Sequence, residues 1–263
     1  MTTITLAVRD STTMLRRQLR HMARAWSVTL MLLAVPIVFL LLFVYVLGGT
    51  LGDGLGGSGG SGGRGAYVDY VTPGILLITI VGAVQGTAIS VAIDMTTGII
   101  ARFRTMAIAR VSVLTGHVLG SVLHTLFSLA VVLGVAVLVG FRPNATGVEW
   151  SAVAGVLTAT AFAFAWLTVA MGLVTKTVAA AGNLPMPLTL LPFLGSGFVP
   201  TGSLPAGLRW FAEHQPLTPV METLRGLLLG TPIGDAAVVA LGWCAVIALV
   251  GYAWAKRLYD RDR

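Results

Sequence analysis

Charge is what this sequence has least of. Only 10% of its 263 residues are charged, against 56% hydrophobic ones, whereas soluble domains carry about 25% charged residues. That shortage excludes a water-soluble globular fold, and the apolar majority excludes disorder. Cysteine is nearly missing too. Cys244 stands alone inside an apolar run, so neither a disulfide framework nor a cysteine-ligated metal cluster can be built. No Gly-Lys-Ser/Thr triplet occurs anywhere; the glycine-rich run at 56–63 is therefore a flexible loop and not a phosphate cradle. Hydrolysis of ATP by that route is closed to this chain alone. Lysine is scarce beside arginine, two against fifteen, and with the abundance of alanine, glycine and valine this bias points to a GC-rich bacterial genome. The net charge of +7 implies no nucleic-acid partner, because in a membrane protein excess base belongs to loops facing anionic lipid.

What is present in quantity is long uncharged sequence. A bilayer core of about 30 Å needs about 20 apolar residues in a helix, and six segments qualify: 26–47, 70–93, 111–140, 150–175, 178–199 and 236–255. The chain therefore reads as an all-α membrane protein, residues 1–263 forming one transmembrane domain of six helices. Six crossings put both termini on one side. Every basic residue except Arg64, Arg142, Arg209 and Arg225 falls on that side, so the excess of arginine and lysine assigns it to the cytoplasm. The basic leader and the long apolar stretch after it argue against a cleaved signal peptide. Within residues 8–25, Leu15, Leu19 and Met22 recur at helical spacing opposite the arginines. That is the pattern of an amphipathic helix lying in the interface; a basic flank that only sets topology is the plainer alternative.

Two segments outside the spans carry motifs. Residues 94–110 begin with Asp94 and end in basic residues, with Gly98, Arg102, Phe103, Arg104 and Arg110 between and after. This suits a short helix with its dipole complemented at both ends. Residues 200–230 are apolar but broken by Pro200, Pro205, Pro216 and Pro219. Prolines tolerate helix starts and stop helices before them, so two short re-entrant helices on the external side fit better than a crossing. Glu213, Glu222 and Arg225 are costly there unless paired or near water; Glu222 and Arg225 share a helix face and could pair.

The pattern Asp94-x-x-x-Gly98-x-x-x-Arg102-x-Arg104, then Arg110, resembles the cytoplasmic coupling segment of ABC-2 type transporter permeases, with Ala107 where a proline is common. The stretch from Phe198 to Pro205, followed by Pro216 to Gly230, is similar to that family's signature before the last span. The resemblance covers essentially the whole chain and is nearest to the daunorubicin/doxorubicin-resistance type of drug-export permease. It implies a membrane subunit of an ABC exporter that moves a hydrophobic drug-like or lipid-like compound out of the cell, seated in the bacterial plasma membrane. It further implies two copies of a cytoplasmic ATPase subunit, which would bind ATP and magnesium, and a second permease, identical or homologous. This chain itself would hold no cofactor and no catalytic residue. Asp94, Gly98, Arg102, Phe103, Arg104 and Arg110 would be its contact with the ATPase.

The remaining candidates lie inside spans. His117, Ser121, His124 and Ser128 form one stripe on the third span, either a wall of the translocation path or a set of interhelical hydrogen bonds. The fifth span carries Pro185, Pro187 and Pro192; such a helix kinks, whether to line a path or simply to fit its neighbours. Gly195-Ser196-Gly197 is reminiscent of a rhomboid protease serine, but the last span supplies no histidine base. An ion-coupled secondary transporter using His117 and His124 is the alternative reading.

Overall fold

A computed structural model describes residues 26–55, 63–97, 110–199, 202 and 204–261. Among them every regular element is helical. Helix α1 (Trp26–Leu41) runs through a π-helical stretch (Leu42–Leu47) into α2 (Gly48–Leu55). Then come α3 (Arg64–Thr96), α4 (Arg110–Val139), α5 (Gly147–Val174), α6 (Val178–Asn183) and α7 (Met186–Leu190). Helices α8 (Ala206–His214), α9 (Leu217–Leu229) and α10 (Ala236–Arg261) complete the chain. Among the described residues five helical stretches are long and apolar enough to cross a membrane: Leu32–Asp53, Arg64–Thr96, Leu114–Val139, Gly147–Val174 and Ala236–Tyr259. The interface helix expected over 8–25 lies outside the described residues.

Helix α3 is the axis of the bundle. All residues from Val71 to Val81 are buried, because the segment has no polar face to turn outward and is packed on all sides. Its two threonines there stay satisfied within the helix: Thr72 donates to the Val68 carbonyl at 2.7 Å and Thr79 to that of Ile75 at 2.9 Å. In hydrocarbon this matters, since an unpaired hydroxyl has no water to turn to. Helices α1, α4, α5 and α9 pack around α3. Helix α10 packs along α5, where a Cβ on Gly251 would stand 2.7 Å from the Leu167 nitrogen. Only glycine permits so close a crossing. The outer faces are apolar: Val38 and Val46, Leu123 and Leu138, and Val238 and Leu249 are all exposed, the surface expected against lipid.

Local sequence explains the helix ends. Thr146 opens α5 with a capping box: its backbone N–H and hydroxyl donate to the Glu149 carboxylate at 2.6 and 2.8 Å, and its hydroxyl accepts from the Glu149 N–H. Pro36 interrupts the hydrogen-bond ladder of α1 shortly before the π-helical stretch. Residues 178–199, expected as one span, do not form a single long helix. Pro185 starts α7, Pro192 lies in the turns that follow, and the chain continues in turns to Phe198. The physical reason is that each proline removes a backbone donor and its ring clashes with the preceding turn.

Candidate functional site

The irregular segment 191–199 is the natural place to look, because its backbone must find partners outside its own chain direction. It lies along α3. Upstream of it, Gln85 of α3 donates to the Gly182 carbonyl of α6 at 2.6 Å; within it, a Cβ on Gly74 would stand 2.9 Å from the Gly197 carbonyl oxygen. Tyr67 and Tyr70, one helical turn apart near the start of α3, reach the same segment. The Tyr70 hydroxyl donates to the Ser196 carbonyl at 2.9 Å, and that of Tyr67 to the Phe198 carbonyl at 3.5 Å. From the other flank, Gln215, between α8 and α9, donates to the Leu191 carbonyl at 2.9 Å.

Arg225 of α9 completes this junction. Its Nη2 donates to the Ser196 carbonyl at 2.9 Å and to the Tyr70 carbonyl at 3.3 Å, and its guanidinium carbon lies 4.1 Å from the centre of the Tyr70 ring. A cation over an aromatic face gains about 0.5–2 kcal/mol, more as water is excluded. Burial pulls the Arg225 pKa below its ordinary value, opposed by Tyr70 and Glu222. Glu222, one turn back, keeps much of its side chain exposed, yet partial desolvation of its carboxyl raises its pKa, with Arg225 opposing and Glu213 adding to the rise. The pairing that Glu222 and Arg225 could make on one helix face does not form among the described residues: Arg225 turns inward to carbonyls and a ring instead. Glu213 pairs with Arg209 one turn earlier, at 2.8 Å on the surface of α8.

A second polar cluster joins α3 to α4 at the far end of the bundle. The Asp94 carboxylate lies 3.2 Å from His117 Nε2, both side chains almost fully buried. Seven residues back on α3, Thr87 donates to the Ser121 hydroxyl. Half of the predicted stripe, His117 and Ser121, is therefore engaged with α3. His124 is half-buried and Ser128 buried; among the described residues His124 Nε2 and the Ser128 hydroxyl have no hydrogen-bond partner. The pair Asp94–His117 brackets the 97–109 connection, whose residues Gly98, Arg102, Phe103 and Arg104 lie outside the described residues. Arg110 is the first residue of α4.

Sequence reasoning pointed to Asp94, the histidine stripe and Arg225. It missed Tyr67, Tyr70 and Gln215. The tyrosines gave one usable signal: two hydroxyl-bearing rings a turn apart at the end of an apolar helix need acceptors. Their acceptors are backbone carbonyls, which no residue type marks.

Comparison with known proteins places this geometry in context. Residues 10–229 match the family model described as ABC-2 type transporter. The chain is similar to the daunorubicin resistance ABC transporter permease protein DrrB1 of Streptomyces coeruleorubidus, 27% identical over 218 residues, covering 81% of this chain and 74% of that one. It is also similar to the probable doxorubicin resistance ABC transporter permease protein DrrC of Mycobacterium tuberculosis, 26% identical over 254 residues, covering 90% and 85%.

Proposed function

Because this chain belongs to the ABC-2 type transporter family, we propose that it is the permease subunit of an ATP-binding-cassette exporter. Its cargo in this reading is a hydrophobic drug-like or lipid-like compound, moved outward across the bacterial plasma membrane. The drug-resistance names of its relatives support that class of cargo.

One observation supports the reading beyond family: residues 178–199 run alongside α3 as short helices and turns instead of one long helix. Gln85 and Tyr70, which meet the two ends of 182–196, are separated on α3 by about 22 Å, most of the hydrocarbon thickness of about 30 Å. Counted this way, 178–199 is the sixth crossing, antiparallel to α3, and both termini lie in the cytoplasm. Irregular backbone at membrane depth is tolerated where protein or a wet path satisfies it, and broken crossings line substrate paths in transporters. Helices α8 and α9 are then the external re-entrant pair. Asp94 and His117 stand at the cytoplasmic root of the segment 94–110.

In this account two copies of a cytoplasmic ATPase subunit bind ATP and magnesium, and the permease acts as a pair with itself or a homologue. Closure of the ATPases presses on residues 94–110, with Arg102 and Arg104 meeting acidic groups and Phe103 an apolar seat. The Asp94–His117 contact joins α3 to α4 on either side of that segment, so a push there moves both helices together. His117, Ser121, His124 and Ser128 are carried along on α4 as candidate path residues.

Affinity purification of the intact chain from gentle detergent tests this. The wild type should retain a stoichiometric ATPase bearing a Walker loop. The double variant Arg102→Glu/Arg104→Glu should insert normally but lose the ATPase and all but a few per cent of export. Export at the wild-type rate by the double variant would refute the coupling assignment.

The buried Asp94–His117 pair also gives the secondary-transport alternative its one structural support, since a carboxylate beside an imidazole can hold a proton. In that case purified permease alone moves cargo under a proton gradient.

A further inference from the structure

The Ser196 carbonyl is where three parts of the molecule meet. It belongs to the irregular crossing, and it accepts from Tyr70 of α3 and from Arg225 of α9 at once, each at 2.9 Å. Glycines on both sides make room for this. A Cβ on Gly195 would collide with the Gln215 side chain, and one on Gly197 would stand 2.9 Å from the Pro192 carbonyl oxygen. We propose that Tyr70 and Arg225 are positioning residues that clasp the Ser196 carbonyl and hold the external end of the irregular crossing shut, so that release of this clasp is the step that opens the path outward. The proposal rests on the exporter reading and adds to it the location of the external gate.

Three observations carry it. First, the carbonyls of Leu191, Ser196 and Phe198 accept hydrogen bonds from side chains of other elements. A helix gives up its ladder as a unit, whereas bonds of this kind release by side-chain rotation. The segment can move while α3 and α9 stay folded. Second, among the described residues the direct contacts of Arg225 are with neutral groups, and Glu222 acts on it only through space. Arg225 touches two carbonyls and the Tyr70 ring, its Nε is buried without a partner, and among the described residues no carboxylate closes an ion pair with it. A charge so placed gains from any change that brings water or a counter-ion to it, and exposed Glu222 stands one turn away on the same helix. The closed arrangement is thereby held and yet releasable. Third, the clasp lies at the opposite end of α3 from Asp94 on the same continuous helix, with Pro73 just after Tyr70, so a displacement of α3 at its root is transmitted along the helix toward Tyr70.

The test uses thiol accessibility, which depends on neither the ATPase nor the cargo. Cys244 is the sole cysteine, so a Cys244→Ala background is free of thiols. In it, Leu194→Cys reports on the irregular crossing, and Ala165→Cys, fully buried in α5, reports on general loosening. The full-length protein is labelled with a membrane-impermeant maleimide in right-side-out and inside-out vesicles, without nucleotide. With the clasp intact, Leu194→Cys should react slowly from both sides. Tyr70→Phe, which removes only the hydroxyl, and Arg225→Met, which removes the charge, should each speed its labelling about tenfold from the external side, with Ala165→Cys unchanged. Arg225→Lys should fall between. Unaltered labelling in Tyr70→Phe and Arg225→Met would overturn the proposal, and so would equal acceleration at Ala165→Cys, which would reduce the junction to packing. If labelling responds as expected yet no ATPase copurifies with the wild type, the clasp stands and the exporter reading fails.

Discussion

Thr146 and Arg225 illustrate two ways in which a polar residue survives in so apolar a chain. Thr146 lies at a helix start, where its hydroxyl and the Glu149 carboxylate satisfy backbone and side-chain donors reciprocally. Replacing it with alanine removes the cap and should cost about 1 kcal/mol, read as a lowered midpoint of thermal unfolding in detergent, with export unaffected. Among the described residues Arg225 takes its hydrogen bonds and ring contact from α3 and the 191–199 segment. The capping box is visible in sequence as Thr-x-x-Glu. The partners of Arg225 are not, because a carbonyl is common to every residue and only the fold decides which one comes within reach. The same holds for His117: its spacing with Ser121 placed both on one face of α4, and the fold then supplied Asp94 and Thr87 of α3 opposite them.

At the scale of elements, hydrophobic length identified most of the architecture and the prolines located its exception. Five of the six expected spans are helices of membrane-crossing length, their ends differing from the expected ones by a few residues. The expected 178–199 span divides at the prolines that a sequence reader would mark as kinks. How far a proline cluster goes, from a kink to a run of turns, depends on whether neighbours satisfy the released carbonyls; Tyr67, Tyr70, Gln215 and Arg225 do so here. The π-helical stretch Leu42–Leu47 has no marker in its sequence beyond the nearby Pro36. Close helix crossing gives a prediction at this scale. Gly251→Leu forces a side chain into the backbone of Trp166 and Leu167, overpacking that should cost about 1–3 kcal/mol. Gly242→Ala, where a Cβ meets nothing within 4 Å, should leave thermal stability in detergent unchanged. Equal stability of the two variants would remove the close α5–α10 crossing.

For the whole molecule, the polar clusters divide between the ends of α3, and that division gives the transport account its shape. At one end Asp94 and His117 bracket the connection proposed to meet an ATPase; at the other, Tyr70 and Arg225 hold the irregular segment 191–199. Between them α3 is one continuous helix, buried throughout from Val71 to Val81, which suits it to carry a displacement. The surrounding apolar faces of α1, α4 and α10 meet lipid or a second permease. In the proposed exporter this chain conducts cargo only when an ATPase drives it. The direct measurement is uptake of daunorubicin, the compound named in one relative, into proteoliposomes whose cytoplasmic face points outward. The complex copurified from native membranes should accumulate it on adding ATP and magnesium, and not under an imposed proton gradient alone. Accumulation by the permease without any ATPase, driven by the proton gradient, would contradict the account and move attention to His117 and His124.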